Sequence, residues 1–309
     1  MDTALLLIHF NRPDVTRRQV DALRSIAPKR VWVLCDAPRP DRAGEDKKVD
    51  EVRSILDTLP WDCKAKYLCR KQNLGVRENI SSGISWFLEE AGEGIILEDD
   101  CIPSASFFDY CSEMLKRYRN EERVFSVSGY TGIASDLPIE TSYCFSNYFS
   151  CWGWATWDRA WKFYDPEMFG FKDKVVWRSI CNRVHPGLRQ RLYWNMIFNR
   201  VVNNRADSWA YRFLLSMWRH QGLSINPKRN LIDNIGFLDQ AENTTGMKER
   251  ITPNFELEFP IVHPRKIIEN EFLDLWIENN CHSKSLPIRL TWLLNRLIQR
   301  LSRYYKILN

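Results

Sequence analysis

The 309-residue chain has 44% hydrophobic residues, enough for one large domain and too apolar for global disorder. Its formal charge of +5 is lopsided: residues 283–309 carry Lys284, Arg289, Arg296, Arg300, Arg303 and Lys306 and no acid, which leaves residues 1–282 at −1. A near-neutral main domain lacks the basic face that a nucleic-acid binder needs.

In chain order, Ala4–Phe10 is an apolar run without a helical stripe and is predicted to be a buried strand. Pro13 opens a helix with Leu23 and Ile26 on its apolar face. Arg30–Cys35 is a second strand, ended by Asp36-Ala-Pro-Arg-Pro. Lys48–Leu59 has Val49, Val52, Ile55, Leu56 and Leu59 on one helical side. Lys64–Cys69 is a third strand, Val76–Glu89 a helix, Gly94–Leu97 a fourth strand, Pro103–Arg119 a helix and Val124–Ser128 a fifth strand. Beyond residue 140 the chain turns Trp-rich and mostly helical to about Gly222, and Leu223–Asn226 is a short strand. Residues 286–309 are predicted to form an amphipathic helix, its Leu/Tyr stripe opposed by Arg289, Arg296, Arg300 and Arg303. That helix suits an anionic membrane surface or packing on the domain with its arginines solvated.

The alternation predicts an α/β fold with parallel βαβ units and a mostly parallel sheet flanked by helices. Ligands bind such sheets at the carboxyl ends of the strands. That rule singles out Asn11 and Arg12, Asp36, the stretch from Arg70 to Gly75, and Glu98-Asp99-Asp100. Three adjacent carboxylates repel unless a cation or solvent matches them. A hard divalent ion, Mg²⁺ or Mn²⁺, would supply the match, and a diphosphate carried on that ion would leave with its charge neutralised. The competing reading is an ordinary acidic turn.

Nine scattered cysteines, with no CxxC pair and no zinc spacing, predict reduced thiols in a cytoplasmic protein. The start, Met1-Asp2-Thr3 and a short apolar stretch, does not resemble a signal peptide, and no run reaches the roughly 20 apolar residues of a membrane span.

Several motifs in order extend the picture: Phe10-Asn11-Arg12-Pro13, Cys35-Asp36, Asn73-Leu74-Gly75, Leu97-Glu98-Asp99-Asp100-Cys101, Trp152-Gly153-Trp154-Ala155-Thr156-Trp157 and Asn234-Ile235-Gly236-Phe237. Together, over roughly residues 3–245, they resemble glycosyltransferases of the GT-A (Rossmann-like) fold, in particular bacterial family 2-like members and the N-acetylglucosaminyltransferase I type. The resemblance implies a catalytic domain over 1–250, with a nucleotide-binding half (1–130) and an acceptor half (131–250), followed by the extension 251–309. It implies an inverting transfer from a UDP-sugar to a saccharide or lipid-linked acceptor, in surface polysaccharide or glycan synthesis, with the protein in the cytoplasm or peripheral on the membrane. By the same resemblance Arg12 would meet the donor diphosphate or base, Asp36 the uracil, Asp100 the metal, and Glu98 and Asp99 the ribose and donor sugar. Asn11 and Arg70 join the donor set by their places after strands. For each of these positions a turn or surface role competes.

An inverting transfer needs a general base. Asp207, in Asp207-Ser208-Trp209-Ala210-Tyr211, resembles the acid-Trp segment of related enzymes and serves equally as a helix N-cap. Ala210 stands where many relatives carry a second acid, so Asp158, Asp233 and Asp239 are held in reserve. Asn243 stands where relatives often place a His. Trp154, Trp157 and Trp161 have the spacing of a helical core stripe, yet Gly153 between Trp152 and Trp154 suggests a turn, and Trp154 is expected near donor or acceptor. Two rivals stand beside the transferase. A sugar nucleotidyltransferase would need a Gly-rich loop after the first strand, which Phe10-Asn11-Arg12-Pro13 lacks. A degenerate member would bind nucleotide sugar, or a partner, without turnover.

Overall fold

The computed structural model describes residues 1–133, 135–185, 187–237 and 253–282. Asp239, residues 242–245 and the amphipathic stretch 286–309 lie outside them. Among the described residues the chain runs β1 (Leu5–His9), α1 (Pro13–Leu23), β2 (Arg30–Cys35), α2 (Glu45–Asp57), β3 (Lys64–Cys69), α3 (Gly75–Ala91), β4 (Glu93–Glu98), β5 (Cys101–Pro103), α4 (Ala105–Arg117), β6 (Val124–Ser128), β7 (Tyr143–Ser146) and β8 (Trp154–Trp157). It continues through α5 (Asp158–Trp161), α6 (Phe169–Lys172), α7 (Lys174–Val184), α8 (Leu188–Val202), α9 (Trp209–Arg219), β9 (Leu223–Pro227), β10 (Ile232–Asn234) and α10 (Glu271–Ile277).

Eight strands form one sheet in the order β3-β2-β1-β4-β8-β6-β9-β7. The pairs among β3, β2, β1 and β4 are parallel, as is β6–β9, while β8 and β7 run against their neighbours. The fold is therefore α/β with a mostly parallel sheet flanked by helices. Its central strands are apolar throughout because both faces are covered, as in Leu5–His9, where every residue is buried. One face packs β1, β2 and β4 against α1, α2 and α4 through Leu5, Val33, Val52, Leu56 and Met114. The other packs Leu6, Leu34 and Ile96 against α3 and α9 through Ile84, Phe87, Phe213 and Met217.

The Trp-rich stretch departs from the expected helical pattern. Trp154 and Trp157 are on a strand, β8, inserted antiparallel between β4 and β6. Residues three apart in a strand face opposite sides of the sheet. Accordingly Trp154 joins the α3/α9 core with Trp161, and Trp157 joins the α4 core. The spacing of three that suggests a helical stripe is here a strand divided between two cores. A further aromatic core holds α7, α8, α9 and α10 together around Trp194, Phe198 and Trp218.

A second, two-stranded sheet pairs β5 with β10 antiparallel. Asn234 sits opposite Cys101 in this register, which carries residues 234–236 to the acidic stretch at the end of β4. The positive φ of Gly153 (+63°) turns the chain into β8, and a Cβ there would meet Ile232 at 2.3 Å.

Candidate active site at the carboxyl edge of the sheet

Because β3, β2, β1 and β4 are neighbours and parallel, their carboxyl ends meet at one edge. Asn11 and Arg12 follow β1, Asp36 follows β2, Arg70 follows β3, and Glu98, Asp99 and Asp100 close β4. A cavity of about 240 Å³ opens there, lined among others by Asn11, Arg12, Asp36, Glu98, Asp99 and Asn79.

The acidic stretch is matched by Arg12. Its Nε donates to Asp99 Oδ2 at 3.0 Å and its Nη2 to Asp100 Oδ2 at 3.0 Å, with a further short Nη2 bond to Asp99 Oδ1. One guanidinium thus forks across two carboxylates, a geometry a lysine could not supply. Burial pushes the carboxyls of Asp99 and Asp100 above the usual range, and Arg12 pulls both back. The same ion pairs raise the Arg12 pKa against the lowering effect of burial. Among the described residues Glu98 has no such partner: burial, then its neighbours Asp100 and Asp99, push its carboxyl up to about 8.

Backbone clamps fix this stretch in place. Gln19 of α1, fully buried, donates through Nε2 to the carbonyls of Glu98 (2.6 Å) and Cys101 (2.8 Å). Across the loop, the Ile235 N–H donates to the Asp100 carbonyl at 2.9 Å. A Cβ at Gly236 would lie 2.3 Å from Asp100 Oδ2 and 3.1 Å from Arg12 Nη1, so a glycine is what allows the chain to pass over this pair.

Asp36 is buried, and its carboxylate accepts from the N–H groups of Ala37 (2.9 Å), Leu74 (3.0 Å) and Gly75 (3.0 Å). It therefore holds the Asn73-Leu74-Gly75 turn and the start of α3. Asn11 donates to Glu45 Oε1 at 2.7 Å, and Arg39, which also bonds Glu45, holds that carboxyl down at about 2. Arg70 does not line the cavity; it bonds Asn79 Oδ1 (3.1 Å), itself on the cavity wall, and Ser82 Oγ (2.6 Å) on α3.

Asp207 arrives from 130 residues away. Its Oδ2 accepts from the Arg77 N–H at 3.4 Å, and its Oδ1 lies 3.3 Å from Arg77 Nε. The cap of α9 is Ser208, not Asp207. Asp207 instead serves the first turn of α3, beside Gly75 on the cavity wall. Ser208 lines a second, largely aromatic cavity of about 400 Å³ with Tyr130, Tyr148, Cys151, Trp152 and Tyr211. Asp207 itself lines neither cavity; it adjoins the first through Gly75 and the second through its chain neighbour Ser208.

Trp154 does not reach either cavity. It has 0% exposure and stacks on Trp209 at 5.6 Å between ring centroids, so it offers no face to a sugar. Trp152, two residues earlier, lines the aromatic cavity edge-on to Tyr130 at 4.6 Å. Of the reserve acids, Asp158 pairs with Lys162 at the amino end of the sheet and Asp233 accepts the Asn254 N–H.

Gln19, Arg39, Glu45 and Gly236 were not among the residues singled out by sequence. Gln19 and Glu45 lie within or beside apolar helical stripes, and only packing shows that they face the strand ends. Arg39 had a readable signal, its place in the Pro-rich break after the second strand. Gly236 had another, its place in one of the six motifs.

Among the described residues, no three or more His, Cys, Asp or Glu side chains cluster as a metal cage. The donor set nonetheless fits a hard divalent ion held by one carboxylate and a ligand's phosphates, the usual manner for Mg²⁺. Asp100 is partly exposed, and among the described residues its Oδ1 has only long contacts, to Asn234 Nδ2 at 3.5 Å and Cys101 Sγ at 3.6 Å.

No known protein family matches the sequence, and no curated protein is similar to it. Among solved structures, a mannosyltransferase from Pyrobaculum calidifontis in complex with GDP-Man and Mn²⁺ is similar over 72% of this chain and 70% of its own, at 10% identity and a TM-score of 0.34. A UDP-glucose pyrophosphorylase complexed with UDP-glucose is similar over 76% and 95%, at 9% identity and a TM-score of 0.35. Mouse xyloside xylosyltransferase 1 is similar over 59% and 76%, at 11% identity and a TM-score of 0.36. Likenesses this partial leave the activity of the chain to be argued from its own site.

Proposed function

We propose that the chain is a glycosyltransferase of GT-A type that takes a nucleotide-sugar donor, a UDP-sugar, at the carboxyl edge of β1, β2 and β4. The observation that carries this reading is the forked contact of Arg12 with Asp99 and Asp100 beside the 240 Å³ cavity. It sets a cation and paired acids where a doubly wound sheet binds ligands. Asp100, through its loosely held Oδ1, would hold Mn²⁺ or Mg²⁺ together with the donor diphosphate. The ion would neutralise charge on the departing nucleoside diphosphate. Arg12 swings from Asp99 to the same phosphates, and Asp99 and Glu98 remain for the ribose and sugar hydroxyls. Asn11 and Asp36 shape the base end of the cavity, Asp36 through the Leu74-Gly75 turn.

The acceptor, a saccharide or lipid-linked sugar, fits the aromatic cavity, where Trp152 and Tyr211 supply faces and edges for a sugar ring. Asp207, beside Gly75 of the first cavity and next in sequence to Ser208 of the second, is the base that takes the acceptor proton, and Arg77 holds it in place. A second reading has one observation in its favour: Asp207 is already committed to Arg77 and the α3 terminus, as a purely structural clamp would be. In that case the chain binds donor without turnover.

A panel of nucleotide sugars with Mn²⁺ or Mg²⁺, read by thermal shift and by release of nucleoside diphosphate, tests the proposal. Metal-dependent stabilisation by a UDP-sugar, with release abolished in Asp100→Ala, is expected. Stabilisation without release, with acceptors supplied, points to the binding module. No stabilisation by any nucleotide sugar sinks both.

A further inference from the structure

Two thiols face each other at the ends of β2 and β3. Cys35 and Cys69 are register partners on adjacent parallel strands. Such partners lie about 4.8 Å apart, inside the roughly 4.4–6.8 Å that a disulfide spans. Both side chains point to the α2 face of the sheet: Cys35 packs with Val52 and Leu56, and Tyr67, two residues before Cys69, bonds the Leu56 carbonyl. The two cysteines differ in access. Cys35 is wholly buried, whereas Cys69 is exposed on an edge strand.

Above the pair sits Arg53 of α2. Its Nη2 donates to the carbonyls of Asp36 (3.2 Å) and Arg70 (3.1 Å), the residues that follow the two cysteines. Its Nε is buried and has no hydrogen-bond partner among the described residues. A desolvated guanidinium next to a thiol pair favours the thiolate. The hydrogen bond from Cys35 is the largest influence on the Cys69 thiol and lowers it; burial and Asp57 oppose the shift, Arg53 adds to it, and the net effect is a lowered thiol. Burial and the same hydrogen bond push Cys35 well up, so its proton stays until it is needed.

We propose that Cys69 and Cys35 form a peroxide-reactive site, with Cys69 the attacking sulfur and Cys35 the resolving one, which closes a cross-strand disulfide. The Cys69 thiolate attacks one oxygen of hydrogen peroxide. An S–O bond forms, the O–O bond breaks, and hydroxide leaves as water after taking a proton. The Cys35 thiol then loses its proton and attacks the sulfenic sulfur. The S–S bond forms, the S–O bond breaks, and a second water leaves. Two thiols and one peroxide become one disulfide and two waters. The bond would tie the edge strand β3 to β2 next to Asp36 and Arg70. The site is independent of the transfer reaction proposed above.

The test uses the full chain, reduced and then exposed to hydrogen peroxide near equivalence, followed by alkylation and peptide mass mapping. The expected product is a Cys35–Cys69 linked peptide, lighter by two hydrogens, with the other seven cysteines alkylated. With iodoacetamide at pH 7, Cys69 is expected to be alkylated ahead of the half-buried Cys63, Cys151 and Cys281, the gain in thiolate being partly cancelled by lower nucleophilicity. Cys69→Ser is exposed enough to fold and should leave Cys35 reduced. Cys35→Ala, which also removes the hydrogen bond to Cys69, should slow its oxidation and leave it as the sulfenic acid, trapped by dimedone. Arg53→Met should slow Cys69 alkylation. A Cys69 that stays alkylatable while other cysteines oxidise, or that links to any cysteine other than Cys35, overturns the proposal.

Discussion

The two halves of the molecule use their side chains in opposite ways. At the ends of β1 to β4 the chain concentrates charge at a cleft: Arg12, Asp99, Asp100, Asp36 and Glu45 are each held by hydrogen bonds that fix geometry. From β7 to α10 it concentrates aromatic rings, and most are committed to packing: Trp154, Trp194 and Trp218 have no exposed surface. The lesson is that an abundance of tryptophan does not mark a sugar site. Trp152, which lines the aromatic cavity, lies just outside its strand, where a side chain is free of the sheet core.

The sharpest way to break this contrast is Trp154→Ala. Emptying that site should cost about 3–5 kcal/mol, as for large core aromatics generally, while folded protein keeps its donor affinity. Chemical denaturation and donor titration read the two effects separately. Lost affinity at unchanged stability would return Trp154 to the ligand. Asp100→Ala should do the reverse, lowering turnover about a hundredfold or more in a steady-state assay of nucleoside diphosphate release, at little cost in melting temperature.

Asp36→Asn probes the scaffold within the polar half. It keeps the shape but loses charge from the bonds to Leu74 and Gly75, and should cost about 1.5–3 kcal/mol, seen as a lower denaturation midpoint. Donor affinity should fall with it, because the turn forms one wall of the cavity.

The smallest effect comes from one buried histidine in each half. His9 beside Thr16 and His185 beside Trp194 are both lowered to about 3 by burial. Each stays neutral in the folded chain, while the unfolded chain protonates below its ordinary value of 6.5. The unfolded state then binds more protons, so stability falls as pH drops, by about 1.4 kcal/mol per histidine at pH 5.5. Glu98 works the other way. Raised to about 8, it holds its proton when folded, so its share of stability is lost as pH rises from 4.5 toward 8. The histidines therefore cost stability toward acid, and Glu98 costs it toward alkali. His185→Phe should flatten the acid side of a pH–denaturation curve and leave the alkaline side unchanged.

The sequence by itself determined the βαβ core. Mostly apolar strands such as Leu5–His9 and Arg30–Cys35, punctuated by Asn, Asp and Pro, suit a buried parallel sheet, and that arrangement sends Arg12, Asp36 and Glu98-Asp99-Asp100 to a single edge. Local pattern could not determine what depends on pairing between distant segments. The insertion of β8 between β4 and β6 was hidden, because tryptophans three positions apart fit a helix or a strand equally well. The tertiary structure alone decided that Gln19 and Gly236 clamp and clear the acidic loop, that Asp207 reaches the start of α3, and that Trp154 is buried. Each rests on contacts between residues tens to more than a hundred positions apart, and side-chain periodicity within one segment carries no record of them.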